Sequence, residues 1–197
     1  MENMSDILFK YMSKLTSLSE DEQQAIVNEI HIDECKKGTV LFRQGEVSTK
    51  CYFILKGCIR QYAIDEEGNE VTSNFYTEEQ AIAIFNHHKL DKSSDYTIVC
   101  VEDSVVVVGD LDTEKDMYTK YTQLESMTRK MIEENFGQVQ AEFAAFIASS
   151  PEERFKKLLL NRPTLIDRVP QHQLASYLGI TPESLSRIKK RMHRAHK

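Results

Sequence analysis

The sequence predicts an α+β chain: an antiparallel barrel or sandwich of short strands, then one long helix, then a small helical domain built around a helix-turn-helix. Three observations carry this reading. Residues 38–110 hold strand-sized β-branched and aromatic runs separated by glycine turns. From Thr113 to Ser149 apolar residues recur at spacings of three and four. The stretch Gln171 to Lys190 has the residue types that two short crossing helices require.

The opening of the chain is polar and helix-like, and Ser19-Glu20-Asp21-Glu22 predicts an N-terminal cap followed by acids in the first turn. Strands follow at Thr39-Val40-Leu41-Phe42, at Cys51-Tyr52-Phe53-Ile54-Leu55, over Ile59 to Ile64 and over Val71 to Tyr76. Gln44-Gly45-Glu46, Lys56-Gly57 and Asp65-Glu66-Glu67-Gly68-Asn69-Glu70 punctuate them. Gly68-Asn69 marks a hairpin tip, where positive φ is tolerated. Tyr96 to Val101 and Ser104 to Val108 complete the sheet. The helical stripe then runs through Met117, Tyr121, Leu124, Met127, Met131, Ile132, Phe136, Val139, Phe143 and Phe146. A stripe of this length suits pairing with a second copy, and its first half suits packing on the chain's own sheet equally well. Ser149-Ser150-Pro151-Glu152-Glu153 breaks the helix and starts another, with a serine to cap it and a proline for its first turn. The expected divisions are 1–112, 113–149 and 150–197.

Composition narrows the function classes. Of the 197 residues 41% are apolar and 28% charged, which is ordinary for a globular chain and argues against disorder or a fibre. No apolar run approaches the roughly 18 residues of a spanning helix, and Met1 to Asp6 lacks a basic flank and apolar stretch, so a cytoplasmic location is expected. Cys35, Cys51, Cys58 and Cys100 form no CxxC pair and are expected to stay reduced. The net charge of −6 conceals a split: from Pro151 onward 11 Lys/Arg face 4 Asp/Glu, giving +7, while residues 1–150 carry 14 against 27, giving −13. An acidic body with a basic terminal domain is the asymmetry expected when one part of a protein meets nucleic acid.

The helix-turn-helix is the most informative segment. Leu174, Leu178, Ile180, Leu185 and Ile188 fall where crossing helices face each other; Ala175 is small at the closest approach; Gly179 ends the first helix. Thr181 can cap the second helix and Pro182 suits its first position. An ordinary helical hairpin would supply the glycine and the apolar spacing, but not the charge. On the second helix Glu183, Ser184, Arg187, Lys190, Arg191 and Arg194 lie outside, and from Pro182 onward six Lys/Arg face one acid. That face can displace counterions from phosphates. Glu183 and Arg187 sit one turn apart at the end that reaches bases, where glutamate accepts from cytosine N4 and arginine forks onto guanine. The same i, i+4 pair is also a common solvated salt bridge; its place in the motif favours base reading.

In this order of parts the sequence resembles the CRP/FNR family of transcription regulators. In the strand region the resemblance rests on Leu41-Phe42-Arg43-Gln44-Gly45-Glu46, Tyr52-Phe53-Ile54-Leu55-Lys56-Gly57 and Asp65-Glu66-Glu67-Gly68-Asn69-Glu70. In the C-terminal domain it rests on Thr181-Pro182-Glu183-Ser184-Leu185-Ser186-Arg187-Ile188, where Glu183 and Arg187 match the family's base-reading glutamate and second arginine. Pro182 stands where the family usually has its first arginine, and Asn161 to Pro170 leaves little space for a β-wing. The resemblance implies an N-terminal antiparallel β-roll (a double-stranded β-helix) as sensor, dimerisation through residues 117–146, and a winged-helix-like C-terminal domain that binds double-stranded DNA. It also implies allosteric control and contact with RNA polymerase, with no enzymatic activity.

Cyclic-nucleotide members use a Gly-Glu pair and an Arg-Ser pair. Here Thr77-Glu78-Glu79-Gln80-Ala81-Ile82-Ala83-Ile84-Phe85 lacks Gly-Glu, and Ser94-Asp95 stands in the Arg-Ser place. No Lys or Arg lies between Arg60 and Lys89 while acids accumulate, so weak or absent cyclic-AMP binding is expected. The scattered cysteines do not form an iron-sulfur cluster, and His87-His88, as neighbours, cannot both face one ion. No cofactor is assigned and the effector is open; an apolar pocket would draw on Phe75, Tyr76, Ile82, Ile84, Phe85 and Ser94. Two other readings compete: a ligand-binding β-roll regulatory protein whose C-terminal helices mediate protein contacts only, and a cupin-like metalloenzyme. The second needs a His and acid cluster, and only His31, His87 and His88 precede the C-terminal domain.

Overall fold

A computed structural model describes residues 4–82, 93–110 and 114–195. The chain opens with two helices, α1 (Met4–Leu15) and α2 (Glu20–Glu29). Ser19 caps α2: its hydroxyl accepts from the Glu22 amide at 3.4 Å, and the Glu22 carboxylate accepts from the Ser19 amide at 2.8 Å.

Among the described residues eight strands follow: β1 (His31–Cys35), β2 (Val40–Phe42), β3 (Lys50–Lys56), β4 (Ile59–Ile64), β5 (Glu70–Tyr76), β6 (Ala81–Ile82), β7 (Thr97–Cys100) and β8 (Ser104–Asp110). They form two four-stranded antiparallel sheets, ordered β1-β8-β3-β6 and β2-β7-β4-β5. Consecutive strands alternate between sheets for most of the chain, which wraps the backbone into a roll. Phe42, Tyr52, Ile54, Ile59, Ile82, Ile98, Cys100 and Val106 fill its interior. The tip at Asp65–Asn69 closes on the Asp65 carboxylate, which accepts from the Glu67 and Asn69 amides at 3.0 and 2.8 Å, with Gly68 at φ +85°. Gly57 has a different reason: at φ +111° it lies against Ser104, and a Cβ there would sit 2.7 Å from the Ser104 backbone.

The outer faces of the two sheets carry different partners. Phe53, Leu55, Val105 and Val107 of the first sheet pack under Leu8, Met12, Ile26 and Val27 of α1 and α2. The second sheet contributes Phe75, beside Cys58 and Val101, to the core of the C-terminal domain.

The segment expected as one long helix is two. α3 (Glu114–Lys120) ends at Tyr121, whose φ of −127° and ψ of 82° leave the helical region, and α4 (Thr122–Ile147) begins directly after it. The division follows the packing: Met117 and Tyr121 seat against the roll, while Phe136, Val139, Phe143 and Ile147 of α4 are 54–66% exposed. The C-terminal helices are α5 (Pro151–Asn161), α6 (Leu165–Arg168), α7 (Gln171–Tyr177) and α8 (Pro182–Ala195). Ser150 caps α5 in a box with Glu153, and Pro151 takes the first position. Between α5 and α7 there is room only for α6, and the described strands all lie before α3.

Candidate nucleic-acid interface

The expected reader, the helix-turn-helix, is assembled from α7, a tight turn and α8. Leu174, Ala175, Leu178, Leu185 and Ile188 are all at most 4% exposed and meet Phe155, Leu158, Leu165 and Val169 in one core. The turn closes by two hydrogen bonds, Gly179 amide to Ser176 carbonyl and Ile180 amide to Ala175 carbonyl, each 3.0 Å, with Gly179 at φ +68°. This is a Schellman arrangement, which needs a left-handed residue at that place. Thr181 then accepts the Ser184 amide at 3.3 Å and starts α8.

The opposite face of α8 is turned to solvent. Thr181, Glu183, Arg187, Lys190 and Arg191 are exposed and Ser184 is half-buried, while the side chain of Arg194 lies outside the described residues. Arg187 donates to the Ser184 hydroxyl at 3.3 Å. Among the described residues no ion pair joins it to Glu183. The α8 N-terminus holds Glu183 below the usual carboxylate range through its backbone amide, with Thr181 and then Arg187 adding to the effect. Arg191 is engaged, bridging to Glu152 of α5 at 3.0 Å, which braces α8 against the helix behind it. Lys189, outside the expected site, leans toward the Phe155 ring at 5.9 Å.

Two sets of contacts fix this surface relative to the rest of the chain. Arg154 of α5 donates to the Phe146 carbonyl at 3.1 Å and the Leu178 carbonyl at 3.0 Å, and stacks over the Phe146 ring at 3.7 Å, tying the end of α4 to the turn of the reader. The second set joins reader and roll. Ser176 of α7 accepts from the Thr72 amide at 2.9 Å and donates to the Glu70 carbonyl at 3.1 Å, so one hydroxyl continues the hydrogen bonding of the edge strand β5. Tyr177 meets Phe75 edge-on at 5.5 Å, and Arg162 donates to the Phe75 carbonyl. Arg168 forks onto Glu78 at 2.8 and 2.9 Å and also reaches Glu102. Burial raises the Glu78 carboxyl, but Arg168 and the Gly57 amide outweigh it and hold the group below its ordinary value. Behind this seam Arg60, 3% exposed, donates to Thr72 and Glu70. The contacts of Ser176, Arg162 and Arg168 with the roll have no local sequence signal: their partners are separated by 66 to 106 positions.

The expected effector pocket is not one site. Tyr76 and Ile82 pack on the roll interior, but Phe75 points outward into the reader core, because neighbours on a strand face opposite sides of the sheet. Ser94 is buried, donates to the Tyr96 carbonyl at 2.7 Å and accepts the Tyr96 amide at 3.0 Å, so its hydroxyl is committed to its own loop. Ile84, Phe85, His87 and His88 lie outside the described residues. Among the described residues no three His, Cys, Asp or Glu side chains cluster to hold a metal. All four cysteines are free thiols, and burial pushes Cys58 and Cys100 up to about 12, which makes them poor nucleophiles. No described helix is long and apolar enough to cross a membrane.

Residues 32–121 match the family profile of the cyclic nucleotide-binding domain. The match spans the roll and α3. With the helices that follow, the fold is similar to that of several solved structures. The chain superposes on FixK2 from Bradyrhizobium japonicum with a TM-score of 0.71 at 14% identity, covering 85% of this chain and 86% of that one. It superposes on the c-di-GMP responsive global regulator CLP from Xanthomonas campestris at 0.69 and 10% identity, covering 90% and 93%. For a transcriptional regulator of the CRP/FNR family from Eubacterium rectale the values are 0.67 and 16%, covering 94% and 88%. No curated protein sequence matches the chain. At these identities the likeness establishes the fold, and the cyclic nucleotide-binding-type roll therefore has to be judged by its own residues.

Proposed function

We propose that this chain is a dimeric, sequence-specific DNA-binding transcription regulator of the CRP/FNR type that does not respond to cyclic AMP. Residues 1–112 act as sensor, 113–149 as the pairing segment and 150–197 as the reader. The observation that carries the reading is the solvent-facing side of α8, where Glu183, Arg187 and Lys190 project from a helix braced on its other side by Leu185 and Ile188. Phosphate contacts from the lysine and flanking arginines fix orientation, and Glu183 and Arg187 read bases. Dimerisation is supported by the exposed apolar side chains of α4, from Ile132 at 41% to Phe143 and Ile147 at 66%, which a monomer would leave in water. The insensitivity to cyclic AMP is supported by Glu78 and Ser94: the first is held by Arg168 and the second by Tyr96, so neither is free to take a ribose or a phosphate.

Selection from a randomised duplex pool, followed by footprinting, tests this. An enriched sequence with two half-sites about one helical turn apart is expected. Retention of no duplex at low salt would refute the reading and favour C-terminal helices that contact only protein. Calorimetric titration with cyclic AMP is expected to show no saturable heat, and micromolar binding would overturn that part of the proposal.

A further inference from the structure

A long side chain on a helix leans toward the helix N-terminus and meets the residues three and four positions before it. For Arg187 these are Ser184 and Glu183. Charge alone favours the second: Glu183 is the one acid from Pro182 onward, and a glutamate four positions ahead of a cation is the better order for a helical ion pair, worth up to about twofold in population. The side chain takes the first. Arg187 donates through Nη2 to the Ser184 hydroxyl at 3.3 Å, and among the described residues no ion pair joins it to Glu183.

The acceptor is itself held in place. Thr181 donates to the Ser184 hydroxyl at 3.2 Å, and the Ser184 amide donates to Thr181 Oγ1 at 3.3 Å, so the cap of α8 braces the group that Arg187 meets. Glu183, in turn, is kept ionised chiefly by its own backbone amide and by Thr181, with Arg187 behind both. Arg191, the next arginine along α8, is drawn off to Glu152 at 3.0 Å. We propose that Ser184 is a positioning residue, whose hydroxyl holds the Arg187 guanidinium off Glu183 so that both groups reach the groove free and already oriented.

This rests on the regulator reading and adds to it the group that keeps the two reading side chains apart. Paired with each other, the carboxylate and the guanidinium would spend on themselves the atoms that accept from cytosine N4 and fork onto guanine, and the pair would have to open before either base was met. The hydrogen bond to Ser184 uses one of the five guanidinium N–H groups and leaves enough for a fork. It also orders a long side chain before DNA arrives, which removes part of the cost of ordering it on binding. The competing role for Ser184 is a contact of its own with the duplex, and the two roles separate by whether its effect passes through Arg187.

The test uses the full chain in two measurements. Without DNA, side-chain NMR follows the Glu183 carboxyl through its titration. In Ser184→Ala it should titrate lower than in the parent chain, because the released guanidinium moves onto the carboxylate and favours its charged form. Ser184→Thr keeps the hydroxyl and should titrate with the parent. The difference should vanish when both chains also carry Arg187→Ala. Alanine is the better helix former, so Ser184→Ala does not act by unfolding α8. With a duplex taken from the selection, fluorescence anisotropy should show Ser184→Ala binding about threefold to tenfold more weakly, the scale of ordering one long side chain, and Ser184→Thr close to the parent. In the Arg187→Ala background Ser184→Ala should have no further effect. An equal loss in both backgrounds means that Ser184 meets the duplex by itself, and overturns the proposal. So does a Glu183 titration that Ser184→Ala leaves unchanged, or one that still differs when Arg187 is absent. Retention of no duplex by the parent chain refutes the regulator reading alone, and the Glu183 titration still decides whether Ser184 keeps the two groups apart.

Discussion

Replacing Arg168 with alanine should loosen the reader from the roll. One guanidinium serves two carboxylates: it forks onto Glu78 at 2.8 and 2.9 Å and reaches Glu102 through Nε at 3.0 Å and through Nη2. Its side chain is 21% exposed, and the acids are 41% and 34% exposed. Charged hydrogen bonds in buried sites are worth about 1.5 to 3 kcal/mol each, whereas exposed ion pairs are worth about 0 to 1. A joint between these limits, with water able to rehydrate both acids once the cation is gone, gives about 2 to 3 kcal/mol for Arg168→Ala. Arg168→Lys keeps the charge but cannot fork, and should cost roughly half as much. Urea unfolding of the full chain measures this, with amide exchange at Thr72, whose N–H is held by Ser176, reporting the seam directly. The Glu78 carboxyl is held below its ordinary value of 4.5 in the folded chain, so its contribution is present above that pH and lost as pH falls through the folded value. The acid limb of stability below about pH 4.5 should therefore be shallower in Arg168→Ala. A loss under about 0.5 kcal/mol, with Thr72 exchange unchanged, would refute the claim that this arginine holds the two parts together.

Other perturbations separate the remaining joints. Gly179→Ala should cost about 1 to 2 kcal/mol, because φ is +68° and the new methyl would lie 3.2 Å from Arg154 and 3.3 Å from Phe146; thermal unfolding reads it. Phe136→Glu with Phe143→Glu should shift the chain to monomer in sedimentation, since both rings are more than 60% exposed and lie outside the core clusters. Lys190→Ala should weaken binding to every duplex alike and reduce the slope of log affinity against log salt by about one.

What the sequence made legible and what it hid divide by range. Both capping boxes, the Gly68 tip and the Gly179 turn follow from residues within five positions of each other, so types and spacing sufficed. The solvent-facing face of α8 follows from helical periodicity. The α3–α4 break at Tyr121 was missed because the apolar spacing runs straight through it; the roll that holds Met117 and Tyr121 on one side of the break leaves no mark on the helix itself. Phe75 was assigned to the wrong side for a related reason. Phe75 and Tyr76 are neighbours on β5 and face opposite sides of the sheet, and which side meets the C-terminal helices has no local mark. The ion pairs of Arg168 and the hydroxyl bridge of Ser176 join distant segments, and nothing local distinguishes those residues from solvated ones.

Base reading by Glu183 and Arg187 of α8 is the step on which the proposed function turns. Its most direct test is fluorescence anisotropy of the full chain on a duplex taken from the selection, with Arg187→Ala beside it, across a salt series. The account predicts steep weakening with salt for both, and for the variant a further loss of about 1 to 3 kcal/mol on the selected sequence but little on a scrambled duplex. Equal affinity of the parent chain and Arg187→Ala for the selected sequence at every salt concentration would contradict it.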